Sequence, residues 1–300
     1  MVSDIATATT FSARLARWAG TAPPSSYFVG SAIFHYLGPA FAVLLFARVE
    51  PLGVAWLRIA SAAAIYAVWR KPWRGLARID RAGAQTLLAM GAVLAGMNVC
   101  FYLAIDRLPL GTVAAIEFVP VIALAAIGTR TGRNVVALLT AVVGVYLLTD
   151  VRIESEPVGL VLAFANAVLF ALYIVLAHRV AQQSTMGGID GLAAAMLVAA
   201  IAVTPIAGWS AAPALVDSIA LAAGIGVGIT SSVIPYVCDQ LALARMRRAT
   251  YALMVSLLPA TATVVGIVVL AQIPSAIEVA GVALIAAAVA VHREPTEDRI

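Results

Sequence analysis

The stretch GTVAAIEFVPVIALAAIG, residues 111–128, decides the fold, because it is long enough and apolar enough to cross a bilayer. It nevertheless carries one carboxylate, Glu117, and one proline, Pro120. A carboxylate in hydrocarbon is costly and usually belongs to a transport pathway or an ion pair. Proline removes a backbone donor and crowds the preceding turn, so it breaks or bends a helix. The stretch therefore predicts a membrane span that holds both a charge and a break.

The composition of the chain extends this prediction to its whole length. Of the 300 residues, 63% are hydrophobic and 11% charged, whereas soluble domains are about half apolar and a quarter charged. The long apolar runs do not alternate with polar residues, which excludes a β-barrel. We therefore predict an all-α membrane protein. The net charge of +4 does not indicate a nucleic-acid partner, because the basic residues lie in short loops between apolar runs.

Ten apolar runs, bounded by charged residues, proline or glycine, predict ten transmembrane helices. They lie at 27–47, 51–69, 82–105, 110–128, 133–149, 157–178, 189–207, 218–238, 250–270 and 275–291. Residues 1–26 and 292–300 are then tails. The glycine run GIGVG, residues 224–228, lies inside the eighth run, where it indicates close packing of helices and not a dinucleotide loop.

The basic residues of the loops predict the orientation of the chain. With the N-terminus inside, 15 of the 19 Lys and Arg residues lie on the inside. Only Arg48, Arg107 and Arg152 lie outside, and Arg58 lies within the second span. Positive charge marks cytoplasmic loops. We therefore expect both termini in the cytoplasm.

The two halves of the chain resemble each other. LAIDRLPLGTVA, residues 103–114, matches LALARMRRATYA, residues 241–252, at five of twelve positions. Within one residue of the same alignment, Pro120 corresponds to Pro259 and Gly144 to Gly281. Repeats of five helices, 27–149 and 157–291, would enter the membrane in opposite senses, as in alternating-access transporters. Shared Ala and Leu content is the other explanation of the match.

Two opposite charges lie at the same predicted depth. Arg58 comes seven residues into the second span and Glu117 seven residues into the fourth, so both sit about 10 Å below the outer face. We predict an ion pair between Arg58 and Glu117, direct or through water. It is either a static lock between two helices or a part of a substrate site.

Other polar and aromatic residues of the spans are candidates for a central substrate cavity. Each of the polar ones needs a partner in hydrocarbon, so bonding between helices is the alternative. The candidate cavity set is His35, Asn98, Tyr102, Glu117, Phe118, Asn166, Tyr173, Tyr236 and Ser256. The predicted helix breaks are Pro39, Pro120, Pro235 and Pro259.

Motifs of catalysis and of cofactor binding are missing from the sequence. It contains no P-loop, no HExxH and no nucleophile elbow, and its three histidines are too scattered for a metal site. We therefore expect no enzyme, no cofactor and no metal. The two cysteines, Cys100 and Cys238, lie in apolar runs and are expected to pack as small hydrophobes. The expected partners are a small-molecule substrate and the bilayer. A monomer is one expectation, but the oligomeric state stays open.

The segment GMNVCFYLAIDRLPLGTVAAIEF, residues 96–118, resembles the first-half motif of the drug/metabolite transporter superfamily, EamA type. WLRIA around Arg58, FALYIVLAHR at 170–179 and SSVIPYVCDQLALAR at 231–245 are similar to further patterns of this family. The resemblance is to bacterial threonine/homoserine exporters and aromatic amino-acid exporters. It implies a multi-pass protein of the bacterial inner membrane that exports amino acids or related metabolites.

The second half departs from the exporter pattern. Leu258 stands where those exporters carry a glutamate, Ala271-Gln272 replaces a Gly-Glu pair, and RMRRAT, residues 245–250, replaces a proline-containing turn. A less polar second half favours a broader or more hydrophobic amino-acid substrate. A nucleotide-sugar carrier would require more cationic residues in the spans than Arg58 alone. An intramembrane enzyme would have His35 as its one plausible base.

Overall fold

The computed structural model describes residues 24–76, 79–120, 122–123, 131–152, 155–183, 188–243 and 257–291. Every element within these ranges is a helix, which confirms the all-α prediction for this part of the chain. The predicted tails, apart from residues 24–26, and Ser256 lie outside the described residues.

The described residues contain thirteen α-helices, numbered here along the chain, one short 3₁₀ helix and one π-helical turn. The first six are α1 (Pro24–Leu45), α2 (Pro51–Arg70), α3 (Trp73–Leu76), α4 (Arg81–Ile105), α5 (Leu110–Glu117) and α6 (Gly132–Arg152). Then follow α7 (Pro157–Gln183), α8 (Ile189–Ala207), a 3₁₀ helix (Trp209–Ala211) and α9 (Ala212–Val216). The last are α10 (Ser218–Gly228), a π turn (Ile229–Val233), α11 (Ile234–Leu243), α12 (Leu258–Leu270) and α13 (Ala276–Val291).

Six helices in the described ranges are long and apolar enough to cross a membrane. They are Ser25–Leu45, Pro51–Arg70, Arg81–Ile105, Pro157–Val180, Ile189–Ala207 and the composite Ser218–Cys238. Three apolar helices are shorter, namely Gly132–Leu148, Leu258–Leu270 and Ala276–Val291. Each of these nine falls on one predicted run, because a run of about 20 apolar residues is what spanning the hydrocarbon requires.

The fourth predicted run contains a short helix. Helix α5 ends at Glu117, three residues before Pro120. Its eight residues are all buried. Helical bonding resumes where the Ile122 N–H donates to the Phe118 carbonyl at 3.1 Å. The chain therefore turns irregular next to its carboxylate, and irregular backbone at membrane depth is tolerated where protein surrounds it.

The helices pack in matched pairs. Helix α4 packs on α7, and the matching contact is that of α1 with the π turn and α11. Helix α4 also packs on α8, and the matching contact is that of α2 with α10. Helix pairs α2–α8, α5–α12 and α6–α13 also pack together. At the α6–α13 crossing, a Cβ on Gly144 would lie 2.9 Å from the Gly281 carbonyl oxygen, and one on Gly281 3.0 Å from that of Gly144. These two glycines therefore bring the helix backbones into direct contact.

The glycine run of α10 packs closely, as predicted. A Cβ on Gly224 would lie 2.6 Å from Leu57 Cδ1, and one on Gly228 would collide with the Ser61 hydroxyl. Both contacts are to the turn of α2 that also carries Arg58. Gly226, between them, meets nothing within 4 Å. The spacing of four residues therefore brings α10 against α2 at Gly224 and Gly228, whereas Gly226 lies on another face.

Candidate functional site

Arg58 of α2 is buried at 7% exposure and reaches across to the π turn. Its Nε donates to Ser232 Oγ at 3.0 Å, and its Nη2 donates to the Ser231 carbonyl at 3.1 Å. The guanidinium carbon also lies 5.5 Å from the centre of the Tyr102 ring, a cation–π distance. A buried charge is tolerated only with such partners. All of these partners are neutral, so the positive charge is solvated by hydrogen bonds and not neutralised.

Pro235 explains why the Ser231 carbonyl is available to Arg58. In an α-helix this carbonyl would accept from the N–H of residue 235, but proline has none. The helix widens into the π turn just before Pro235, and two side chains of α2 donate to carbonyls of this turn. Arg58 bonds Ser231 as described, and the Tyr66 hydroxyl donates to the Ser232 carbonyl at 3.2 Å.

Glu117 ends α5 and is buried at 6% exposure. Its Oε1 accepts from Asn166 Nδ2 of α7 at 3.2 Å. Asn166 is fully buried, so α7 supplies a neutral hydrogen-bond donor to the carboxylate. Asn98, by contrast, turns onto its own helix, where its Nδ2 donates to the Leu94 carbonyl at 2.8 Å. Of the two predicted asparagines, Asn166 is the one that contacts the carboxylate.

The predicted ion pair between Arg58 and Glu117 is not formed by direct contact. Among the ion pairs of the described residues, all three involve other side chains: Arg48–Asp217, Arg70–Asp190 and Arg107–Asp106. Arg58, Glu117 and His35 nevertheless lie in the same buried region. The two side chains have a similar predicted depth, but they point to different partners: Arg58 to the π turn and Glu117 to Asn166.

Within the part of the chain that the structure describes, four buried side-chain polar atoms have no hydrogen-bond partner of acceptable geometry, and they cluster around these charges. They are Tyr36 Oη, Tyr102 Oη, Asn166 Oδ1 and Ser231 Oγ. The Tyr102 ring faces Arg58, and Ser231 and Asn166 belong to residues that bond Arg58 and Glu117. Tyr36 lies within reach of the Glu117 charge. Unpaired polar atoms in hydrocarbon are costly, so this cluster is a candidate binding site for a polar group.

Aromatic side chains border the cluster. Phe118 packs edge-to-face on Phe170 with ring centres 6.1 Å apart, and His35 contacts Tyr36 in the same way at 5.2 Å. Tyr173 and Tyr236, both partly buried, pack against a second hydrophobic core formed mainly by α2, α4 and α8. The structure therefore brings His35 and Phe118 close to the charged cluster. Tyr173 and Tyr236 pack instead against the hydrophobic core next to this cluster.

The four predicted prolines play different parts. Pro39 lies inside α1 and Pro120 follows the end of α5, while Pro235 follows the π turn. Pro259 is the second residue of α12, a first-turn position that tolerates proline without a break. Pro235 was predicted as a helix break, but its link to Arg58 was not predicted. The signal was present, since Pro235 follows Ser231 by four residues.

The departures of the second half form contacts of their own. Gln272 Oε1 accepts from the Leu110 N–H at 3.1 Å and so caps the start of α5. Glu278 is buried and exchanges backbone and side-chain hydrogen bonds with Ser275 at the start of α13. Gln272 and Glu278 both border a cleft of about 190 Å³ beside α5. Gln272 therefore holds in place the helix that carries Glu117.

Comparison with known proteins agrees with this architecture. Residues 157–292 match the EamA-like transporter family. The threonine/homoserine exporter RhtA of Salmonella typhimurium LT2 is 31% identical over 86% of this chain and 88% of its own length. RhtA of Escherichia coli K12 is 32% identical over 84% of each. A crystal structure of another protein, 21% identical, superposes with a TM-score of 0.56 over 89% of this chain and 96% of its own.

Helices that are long and apolar enough to span a membrane, together with relatives that are exporters, place the chain among membrane transporters. The chain belongs to the EamA-like transporter family. It is a multi-pass inner-membrane protein and a transporter, not an enzyme.

Proposed function

We propose that this protein exports neutral amino acids, with Arg58 and Glu117 at the two ends of the substrate site. The observation that carries the proposal is that the two buried charges are held by neutral partners instead of by each other. An amino acid is a zwitterion, so its carboxylate can pair with Arg58 and its ammonium with Glu117. The relatives named threonine/homoserine exporters support this substrate class.

The unpaired atoms of the cluster suit the same ligand. Tyr102 Oη and Ser231 Oγ, beside Arg58, can donate to a carboxylate, and Asn166 Oδ1, beside Glu117, can accept from an ammonium. The Phe118–Phe170 pair next to Glu117 offers an apolar wall for the substrate side chain. This wall favours a leucine- or phenylalanine-like side chain as well as threonine or homoserine.

We further propose ten membrane helices in two inverted repeats with both termini in the cytoplasm. In this relation the helices α1, α2, α4, α5 and α6 of the first half correspond, in order, to α7, α8, α10–α11, α12 and α13 of the second half. The contact of α4 with α7 then corresponds to that of α11 with α1, and the contact of α4 with α8 corresponds to that of α10 with α2. The relation leaves α2–α8, α5–α12 and α6–α13 unchanged. This matching of contacts supports a two-fold relation, and such repeats accompany transport by rocking of the halves about a central site.

The test is counterflow in liposomes that contain the purified protein. Liposomes loaded with unlabelled threonine should take up labelled threonine, homoserine, leucine or phenylalanine. Glu117→Gln and Arg58→Lys should lower that flux roughly 10- to 100-fold, the equivalent of one charged hydrogen bond. The lysine keeps the charge of Arg58 but loses its fork of donors. The matched controls are Glu50→Gln and Arg107→Lys, in exposed connections between helices, which should leave the flux unchanged.

Two further substrates separate the ends of the site. An N-acetyl amino acid lacks the ammonium and an amino-acid methyl ester lacks the carboxylate, so each should move much more slowly than the parent compound. Monodisperse gel filtration and an unchanged unfolding temperature show that each variant is folded. The absence of flux for every amino acid, or full activity of both folded variants, would overturn the proposal.

A further inference from the structure

A long apolar groove of about 460 Å³ runs along the surface between α1 and α10. Its walls are Phe41, Leu44 and Leu45 of α1 and Ile219, Ala223, Gly226 and Val227 of α10, with Arg48 and Thr230 also lining it. Leu44 is 55% and Ile219 64% exposed, so the groove is open on its outer side. We propose that it binds one phospholipid, with an acyl chain in the groove and the phosphate on Arg48.

The length of the groove fits one leaflet. From Ile219 to Thr230 the lining covers eleven residues of helical rise, about 16 Å at 1.5 Å per residue. The hydrocarbon core of a bilayer is about 30 Å thick, so one leaflet is about 15 Å deep. Both walls belong to helices that are long and apolar enough to span a membrane. An acyl chain of the leaflet next to the α1–α2 connection therefore matches the groove from end to end.

The charge at the mouth of the groove fits a phosphate. The Arg48 side chain is 55% exposed, and one of its five N–H donors, on Nη1, contacts Asp217 Oδ2 at 3.1 Å. The remaining fork can bind phosphate oxygens in pairs. Asp217 already accepts from the backbone N–H groups of Ile219 and Ala220. Its negative charge beside Arg48 should weaken phosphate binding, so Asp217 sets the strength of the site.

Gly226 makes the groove testable without disturbing the core. A Cβ on Gly226 meets nothing within 4 Å, and Gly226 lines the groove, so Gly226→Leu places its added side chain in the groove. Gly30 of α1 is equally open but does not line the groove, and Gly30→Leu is therefore the matched control. Arg48→Gln removes the charge at the mouth. Asp217→Asn removes the opposing charge, while asparagine still caps α10.

The experiment uses the full-length chain, delipidated in detergent and titrated with dioleoyl-phosphatidylglycerol under native mass spectrometry. The wild type and Gly30→Leu should bind one lipid per chain. Arg48→Gln and Gly226→Leu should each weaken binding about tenfold, and Asp217→Asn should strengthen it several-fold. Dioleoylglycerol, which lacks the phosphate, and inorganic phosphate, which lacks the chains, should both bind more weakly than the phospholipid.

Several results would overturn the proposal. Equal lipid binding by Arg48→Gln and the wild type excludes the phosphate contact, and equal binding by Gly226→Leu excludes the groove. If the mass spectrum shows a dimer, and Gly226→Leu converts it to a monomer, a second copy of the chain and not a lipid covers this face. Unfolding temperatures of all variants show that the fold is retained. None of these readouts depends on transport, so the lipid site and the proposed export function stand or fall separately.

Discussion

The contact between α1 and the π turn allows one prediction with a calculable size. An added Cβ at Gly38 would lie 2.8 Å from the Ser231 backbone nitrogen and 2.9 Å from Thr230 Oγ1, and it would collide with Ser231 Oγ. The hydroxyls can rotate but the backbone nitrogen cannot, so Gly38→Ala must push α1 away from the π turn. This is the segment whose Ser231 carbonyl accepts from Arg58.

Two opposing effects determine the size of the change. Alanine is better than glycine in a helix by about 1 kcal/mol, whereas overpacking costs about 1–3 kcal/mol. Gly30 lies in the same helix and meets nothing within 4 Å, so Gly30→Ala has the helical gain alone. The difference between the two variants is then the packing cost. We expect the free energy of unfolding of Gly38→Ala to be about 1–3 kcal/mol lower than that of Gly30→Ala.

The measurement is equilibrium unfolding in mixed micelles, with sodium dodecyl sulfate as denaturant. A double variant adds Ser231→Ala, which removes the hydroxyl that a Cβ at Gly38 would strike. Ser231→Ala should recover part of the loss, a coupling of about 0.5 kcal/mol or more. Equal stability of Gly38→Ala and Gly30→Ala would show that α1 can shift without cost, and the reasoning would fail. Absence of coupling would show that the hydroxyl is not the obstacle.

Two further predictions use the same titration. Trp56→Phe should lower the free energy of unfolding by about 1 kcal/mol, because it removes the 2.9 Å hydrogen bond from Trp56 Nε1 to Thr204 Oγ1; an unchanged value would mean that this bond contributes nothing. Backbone hydrogen bonds, chiefly from Ala220, hold the pKa of Asp217 below its usual value. Its stabilising effect is therefore present at neutral pH and is lost as the pH falls through the lowered folded-state pKa. Asp217→Asn should reduce the loss of stability between pH 7 and 3, and an identical pH profile would contradict this assignment.

The positions of the helices could be predicted because the bilayer leaves few choices. A backbone in hydrocarbon must satisfy its own hydrogen bonds, so each apolar run of sufficient length becomes a helix. The second run was predicted at 51–69, and helix α2 is Pro51–Arg70. Pro120 predicted a break in the fourth run, but it did not predict that helix α5 ends at Glu117, three residues earlier.

The partners of the two buried charges could not be predicted from depth alone. Counting residues along a span gives the depth of a side chain, but not the direction in which it points around the helix axis. Arg58 points to the π turn and Glu117 points to α7, so charges at equal predicted depth contact different helices. Ser256 lies outside the described residues, so its place in the proposed cavity stays a prediction.

The π turn has a consequence for how the eighth span is built. A π turn holds one residue more than the α-helical turn it replaces. Because the extra residue is taken up within this one turn, removal of one residue from Ile229–Val233 could restore a continuous α-helix without turning the helix beyond it to another side. Such a shortened span would still cross the bilayer with its apolar length almost intact. It would present the same side of α11 to α1, with the Pro235 carbonyl still directed towards Ser31 Oγ, from which it accepts at 3.2 Å here. The π turn therefore absorbs a one-residue insertion in the eighth span, a feature that hydropathy alone cannot detect.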